Sequence, residues 1–271
     1  MGTALPCLRP RHRVVPWALV AAIGLLCVGC RWGGGLRDES ANRFAPAPPQ
    51  LTFRDCPWHQ PPPPAIAVDE RRRIAAADWV PGAGGVVVTS GEDRFTDQAL
   101  FFAETTGALR PLPLPSDLRL PINGVLLVPR TEPLIVLDEA WSAGRGLLRT
   151  VLEELADAPY PGDLVVMDFE GRQRARHRSA HYALLSPDFQ WLAYWRSNRD
   201  GLHNLLLARP EDQAAVFVGA ITEVDPGSGR SFVSCWSGDS RYLHVAGDAY
   251  GGKSFRWTYD VAARELYQDA G

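Results

Sequence analysis

Lysine is almost missing: Lys253 is the only one in 271 residues, and arginine supplies the remaining positive charge. Arginine's dominance is read as a coding bias and given no function. There is no basic excess. The 28 basic and 31 acidic side chains leave a formal net charge of -3, so the electrostatic footprint of a nucleic-acid binder is missing. No glycine-rich loop of nucleotide-binding spacing occurs. Cys56-Pro57-Trp58-His59 has no second pair to complete a zinc site. No cofactor is expected. The apolar run from Val14 to Val28, with Pro16 near its start, falls short of the roughly 20 residues a bilayer-spanning helix needs. The rest is ordinary: 46% hydrophobic, 22% charged and 10% aromatic residues exclude wholesale disorder and collagen-like repetition. Twenty-three prolines and 25 glycines are many for a helical bundle and suit frequent turns.

The N-terminus bears on the compartment. Arg9, Arg11 and Arg13 precede the apolar run, no acid lies in residues 1–30, and the run ends in small residues. That order is the pattern of a secretory signal peptide. The sequence Leu26-Cys27-Val28-Gly29-Cys30 resembles the lipobox of bacterial lipoproteins, in which a small residue precedes a cysteine that is lipidated and becomes the new N-terminus. Cys27 stands three before Cys30, where leucine is usual, with Leu26 one step earlier. The resemblance implies cleavage after residue 29, a lipid on Cys30, and an outer-membrane destination, since Arg31 rather than aspartate follows. Several acyl chains on one residue anchor stably, whereas one is marginal. The alternative is an uncleaved N-terminal anchor with Cys30 a buried thiol.

Removal of residues 1–29 takes Cys7 and Cys27, and Cys30 would carry lipid. Cys56 and Cys235 remain, an even pair in an oxidising compartment, and a Cys56–Cys235 disulfide is expected. Closing so long a loop stabilises by roughly 4–5 kcal/mol on the loop-entropy model. Two separate buried thiols are the alternative. Residues 30–69 form a Gly/Pro-rich tether that can also supply a closing strand: Gly33-Gly34-Gly35, Pro46, Pro48, Pro49 and Pro61 to Pro64 make it flexible, then partly stiff.

Residues 70–271 repeat. Four segments open with a short apolar strand and a tight turn, at Pro81-Gly82, Pro129-Arg130, Ser186-Pro187-Asp188 and Ser237-Gly238-Asp239. Each leads into a β-rich run: Val86 to Thr89, Leu134 to Leu137, Trp191 to Tyr194 and Tyr242 to Val245. A second strand follows at Ala99 to Ala103, Asp163 to Asp168, Asn204 to Ala208 and Ser254 to Tyr259. This spacing predicts an all-β array of four-stranded sheets. The third copy, Leu185-Ser186-Pro187-Asp188-Phe189-Gln190-Trp191-Leu192-Ala193-Tyr194 with Ser197-Asn198-Arg199-Asp200-Gly201 and Asn204 to Leu207, resembles the β-propeller repeat of the TolB type. Phe189 replaces the glycine usual in that family's serine-proline-aspartate-glycine turn. The fourth copy places Gly238 where proline is usual. The resemblance covers roughly residues 74–268 and implies a small β-propeller of four repeats doing protein–protein work in the cell envelope. A fifth, cryptic blade could use residues 51–69, including Ala65-Ile66-Ala67-Val68, and a Cys56–Cys235 bond would fasten such a ring closure. Asp188 and Asp239 recur at the turn, which marks them as structural.

One insertion interrupts the array, about Trp141 to Pro161. Leu147, Leu148, Val151, Leu152 and Leu155 recur at helical spacing, predicting a short amphipathic helix that packs on the propeller or contacts a partner. Trp141, Arg145 and Tyr160 are its candidate binding residues, and Tyr250 is a further exposed aromatic. Ala140-Trp141-Ser142-Ala143-Gly144 superficially resembles a nucleophile elbow, with His203 or His244 as candidate bases. No alternating βα pattern surrounds it to build the parallel sheet such enzymes use. His177 and His181 share a face by spacing, but no third metal ligand is evident. They are expected as exposed polar residues beside Arg172, Arg174, Arg176 and Arg178, a solvated edge strand. Asp138/Glu139 and Glu92/Asp93 are adjacent and point to opposite strand faces, so neither pair is a natural acid/base dyad. The sequence therefore points to a lipid-anchored envelope propeller that binds a protein partner without catalysis. A serine hydrolase at Ser142 and a small-ligand or carbohydrate binder are the alternatives.

Overall fold

The computed structural model describes residues 42–46, 66, 68, 70–92, 97–118, 121–139, 162–197, 203–221, 233–249 and 253–268. All lie in the compact unit Arg37–Gly271. Expectations for the signal segment, Cys30, Cys56, the 141–161 helix with Trp141, Ser142, Arg145 and Tyr160, and Tyr250 fall outside the described residues. Among the described residues every regular element is a strand, and no helix is long and apolar enough to cross a membrane.

The strands form four antiparallel meanders. Sheet I holds β2 (Arg73–Val80), β3 (Gly84–Ser90), β4 (Gln98–Ala103) and β5 (Leu109–Leu112). Sheet II holds β6 (Ile122–Val128), β7 (Leu134–Glu139), β8 (Leu164–Asp168) and β9 (Gln173–His177). Sheet III holds β10 (Ala180–Leu185), β11 (Leu192–Ser197), β12 (His203–Ala208) and β13 (Ala215–Ile221). Sheet IV holds β14 (Val233–Trp236), β15 (Tyr242–Ala249), β16 (Lys253–Asp260) and β17 (Glu265–Gln268). Each sheet follows chain order, so hairpins alone build it. The fold is the all-β, four-sheet propeller architecture that the repeats predict.

Alternation in the inner strands assigns each side chain to one of two neighbouring sheets. In β7, Ile135 and Leu137 join a cluster with Val86, Val88 and Leu100 of sheet I. Leu134 and Val136 join Leu192, Tyr194 and Leu206 of sheet III. In sheet III the same rule holds: Leu192 and Tyr194 face sheet II, while Ala193 and Trp195 pack with Trp236, Leu243 and Trp257 of sheet IV. Strands apolar on both faces read as continuous hydrophobic runs, which explains Val86-Val87-Val88 and Leu134-Ile135-Val136-Leu137.

Polar bonds fix the order of the stack. The buried Asp78 Oδ2 of β2 accepts the Leu127 amide of β6 at 2.8 Å. Arg130 donates to the Phe189 carbonyl at 2.8 Å and pairs with Glu211 at 2.6 Å, joining sheets II and III. The Asp188 amide donates to Ser240 Oγ at 2.9 Å, joining the turns of sheets III and IV.

Those two turns show why the repeat has its form. Ser186 Oγ donates to Asp188 and accepts the Trp191 amide, and Ser237 does the same with Asp239 and Tyr242. The fourth turn residue is left-handed: Phe189 has φ 57° and Ser240 φ 61°. Glycine suits that position because it adopts positive φ without a Cβ clash, so both residues hold a conformation that favours glycine. Asp188 and Asp239 are turn residues, as their recurrence implies.

Of the 51–69 stretch offered for a cryptic blade, only Ile66 and Val68 are among the described residues, and both lie outside any strand. The added strand is β1 (Phe44–Ala45), which pairs parallel to β17 at the outer edge of sheet IV, Phe44 opposite Leu266. Phe44 tilts against Trp257 at 5.8 Å. Two residues earlier, the Asn42 side-chain amide donates to the Ala220 carbonyl at 2.8 Å and accepts the Ala220 amide at 2.9 Å. Residues 42–45 thus clip sheet III to sheet IV.

The III–IV seam is tight at Gly219, where a Cβ would sit 2.9 Å from Trp257 Cζ3. Gly219→Val should destabilise by about 1–3 kcal/mol through overpacking. Gly238→Ala, whose Cβ meets nothing within 4 Å, should cost far less. Urea denaturation of the two variants checks the contrast.

Candidate functional site

The interface-facing row of β7 runs Leu134, Val136, Asp138, so a carboxylate ends an otherwise apolar face turned toward sheet III. Glu139 occupies the opposite face. Their surroundings differ sharply. Glu139 is buried and held by Arg176 Nη1 at 3.0 and 3.1 Å, and the same guanidinium reaches Asp163 and Asp117 at 3.3 and 3.0 Å. Arg176 is therefore a largely buried counter-ion to three carboxylates, Glu139, Asp163 and Asp117, which corrects its reading as a solvated edge charge. Arg172 and Arg174 are the more exposed members of that row, and both pair with Asp168.

Among the described residues Asp138 has no such partner. It receives a hydrogen bond from the Tyr182 backbone amide, and burial, followed by the neighbouring Glu139 charge, pushes its carboxyl up from the ordinary 3.8 to about 7. Its Oδ1 is buried with no hydrogen-bond partner. A pocket of about 320 Å³ opens beside it, lined by Gly124, Val125 and Leu126 of β6, Val136, Leu164 of β8, and Tyr182 and Ala183 of β10. Strand β10 makes this opening. Its register with β11 shifts between His181 and Leu184, and Tyr182 takes φ 52°. The bulge re-aims one side chain, as such irregularities do, and leaves Tyr182 68% exposed. A second cleft of about 980 Å³ lies between sheets I and II, bordered by Arg73, Ser90, Glu92, Gln98 and Asn123. Asn123 touches both spaces.

His177 and His181 are buried, at 1% and 2% exposure, not exposed as the sequence reading had them. His177 Nδ1 lies 3.0 Å from the Tyr194 hydroxyl. His181 packs edge-on to His203 at 5.8 Å. Burial holds His177 down at about 4, helped by Arg196, and His181 at about 3, helped by His203. Both are neutral core residues at ordinary pH. His244, one candidate base for Ser142, is buried in β15 with Nδ1 2.9 Å from Thr258 Oγ1. Cys235 is buried in β14. Among the described residues no group of three or more His, Cys, Asp or Glu is placed to hold a metal ion.

Sequence reasoning weighed Asp138 only as half of a dyad. The available signal was a charge on an apolar row. Nothing in the sequence marked the Tyr182 bulge.

No family model and no curated protein matches the chain. Among solved structures similar to it is the β-propeller domain of the Trilobed protease from Pyrococcus furiosus, 18% identical over 52% of this chain and 40% of its own, with a TM-score of 0.35. A protein described as TolB from Agrobacterium tumefaciens is 12% identical over 74% of this chain and 62% of its own, with a TM-score of 0.45. TolB from Acinetobacter baumannii is 14% identical over 73% and 43%, with a TM-score of 0.43. The periplasmic gluconolactonase PpgL of Pseudomonas aeruginosa is 11% identical over 72% and 55%, with a TM-score of 0.39. The chain thus spans less than two thirds of each of these proteins.

The titrations oppose one another. Below about pH 6.5 the unfolded chain protonates His177 and His181, which the folded chain resists down to about 4 and 3, so stability falls. Asp138 has its folded value raised, so it contributes stability that is lost as pH rises through 7 and regained as pH falls toward 4. Two destabilising protons against one stabilising proton leave a net loss of about 1.4 kcal/mol per pH unit between pH 6 and 4.5. Asp138→Asn removes the opposing proton and should double that slope. Denaturant unfolding at three pH values measures it.

Proposed function

We propose that the chain is a lipid-anchored cell-envelope propeller that binds a protein partner and performs no catalysis. Tyr182 carries the reading. A large aromatic ring is held out in solvent by a left-handed residue and a broken register, over a pocket at a sheet seam. Backbone strain of this kind costs of order 1–3 kcal/mol and persists where surrounding structure enforces it, commonly at functional sites. Tyrosine on a rigid scaffold is also a frequent interface anchor. The β7–β8 connection leaves the same end of sheet II, immediately after Asp138 and Glu139, and it carries Trp141, Arg145 and Tyr160. Insertions on repeat scaffolds often form binding surfaces, so these residues extend the proposed contact.

The anchor and the bridge belong to the same proposal. Cys30 carries the lipid and holds the propeller at the outer membrane facing the periplasm. The Cys56–Cys235 disulfide fastens the tether to sheet IV. Support for the bridge comes from Cys235, which is buried in β14.

A photo-crosslinking residue at Tyr182 should give a discrete protein adduct in membranes of the producing cells, while the same residue at Val216, exposed on outer strand β13, should not. Equal labelling at both, or none at Tyr182, would count against docking. Mass spectrometry of the mature chain should find an acylated N-terminal Cys30, and non-reducing peptide mapping a Cys56–Cys235 pair. An unmodified Cys30, or two alkylatable thiols, would refute the anchor or the bridge respectively.

A further inference from the structure

Most buried carboxylates in the described sheets have their charge answered from within the fold. Asp168 is met by Arg172 at 2.7 Å and Arg174 at 3.0 Å. Asp260 is met by Arg241 at 2.8 Å and by the Ala262 and Ala263 amides. Glu139 has Arg176, and Asp78 accepts the Leu127 amide. In keeping with this, Asp168 and Asp260 are held below the usual carboxylate range. Asp138 departs from the pattern in position as well as charge. It borders a space rather than a guanidinium, has a buried oxygen without a partner, and receives one backbone amide.

The space has a definite chemical character. Leu126, Val136 and Leu164 make apolar walls, Asp138 supplies the acid, and Tyr182 stands at its border. At about 320 Å³ it lies at the small end of ligand pockets, which run to roughly 1,000 Å³. A carboxylate in an apolar pocket repels an anion and leaves a neutral alkyl group with a desolvated acid to bury. A cation with a short hydrocarbon body corrects both faults: its charge answers the carboxylate, its body fills the walls, and an aromatic face attracts its positive end.

We propose that the Asp138 pocket at the seam of sheets II and III binds a small organic cation, an alkylammonium group held by the Asp138 carboxylate and flanked by Tyr182. The binding is non-covalent. The ammonium keeps its protons and donates hydrogen bonds to the carboxylate, which becomes fully ionised in the complex and releases its proton to the solvent. Glu139, the nearest other acid, is already neutralised by Arg176, so the change in protonation falls on Asp138. This site belongs to the chain alone and does not rest on protein docking. A Tyr182 crosslink without amine binding would remove the ligand and leave docking intact, and the converse would do the opposite.

The test uses the purified full chain and n-butylammonium chloride as probe, followed by calorimetry. Saturable binding is expected, weakened at least tenfold in Asp138→Asn and severalfold in Tyr182→Ala, with n-butanol and potassium chloride silent. No binding to the wild-type chain, equal binding to Asp138→Asn, or an equal response to n-butanol or potassium chloride would overturn it. A carboxyl-carbon NMR titration of the wild-type chain is independent of whether the variants fold. The Asp138 midpoint near pH 7 should move down by at least one unit when the amine saturates, and an unmoved midpoint would overturn the proposal.

Discussion

Burial on both faces is the constraint on which this architecture depends. Strands such as β7, β11 and β12 send alternate side chains to two different neighbours, so a lone sheet would expose two apolar faces to water. Three hydrophobic clusters therefore act as the joints between sheets I and II, II and III, and III and IV. The polar bonds at those joints, from Asp78 to Leu127 and from Asp188 to Ser240, use backbone amides that would otherwise lack partners. Hydrophobic area supplies the attraction. The polar bonds specify which strand faces which.

The candidate site follows from the same constraint. At the end of β7 the alternating rows emerge from the core, and adjacent acids meet opposite fates. Glu139 continues the row toward sheet I and finds Arg176. Asp138 continues the row toward sheet III and finds the irregular start of β10, where the bulge at Tyr182 replaces flush packing with a cavity. The site is a place where one seam stops closing. That is why a single carboxyl there has its protonation balanced near neutrality.

Much of the fold was legible in the sequence because it is periodic. The second and third strands of all four sheets fall on the runs predicted from β-rich segments, and the Ser-x-Asp turns explain themselves through local hydrogen bonds. Phe189 and Ser240 show that a motif's backbone requirement can outlast its glycine. Less legible were features that depend on who the neighbour is. His177, His181 and Arg176 look like an exposed polar edge until a second sheet covers them. Tyr182 belongs to an unremarkable strand until the register slips. The exact place of the N-terminal strand within residues 30–69 was not legible, because two residues, Phe44 and Ala45, carry too little pattern to announce pairing.

The clip at residues 42–45 has a mechanical consequence. Because β1 joins the outermost strand of the last sheet, tension applied through the N-terminal segment enters the molecule at Asn42 and Phe44. A two-residue parallel pairing and one side-chain amide give way before any four-stranded meander is loaded. Stretching would peel off a short lead and lengthen the free chain, leaving the stacked sheets behind it undisturbed.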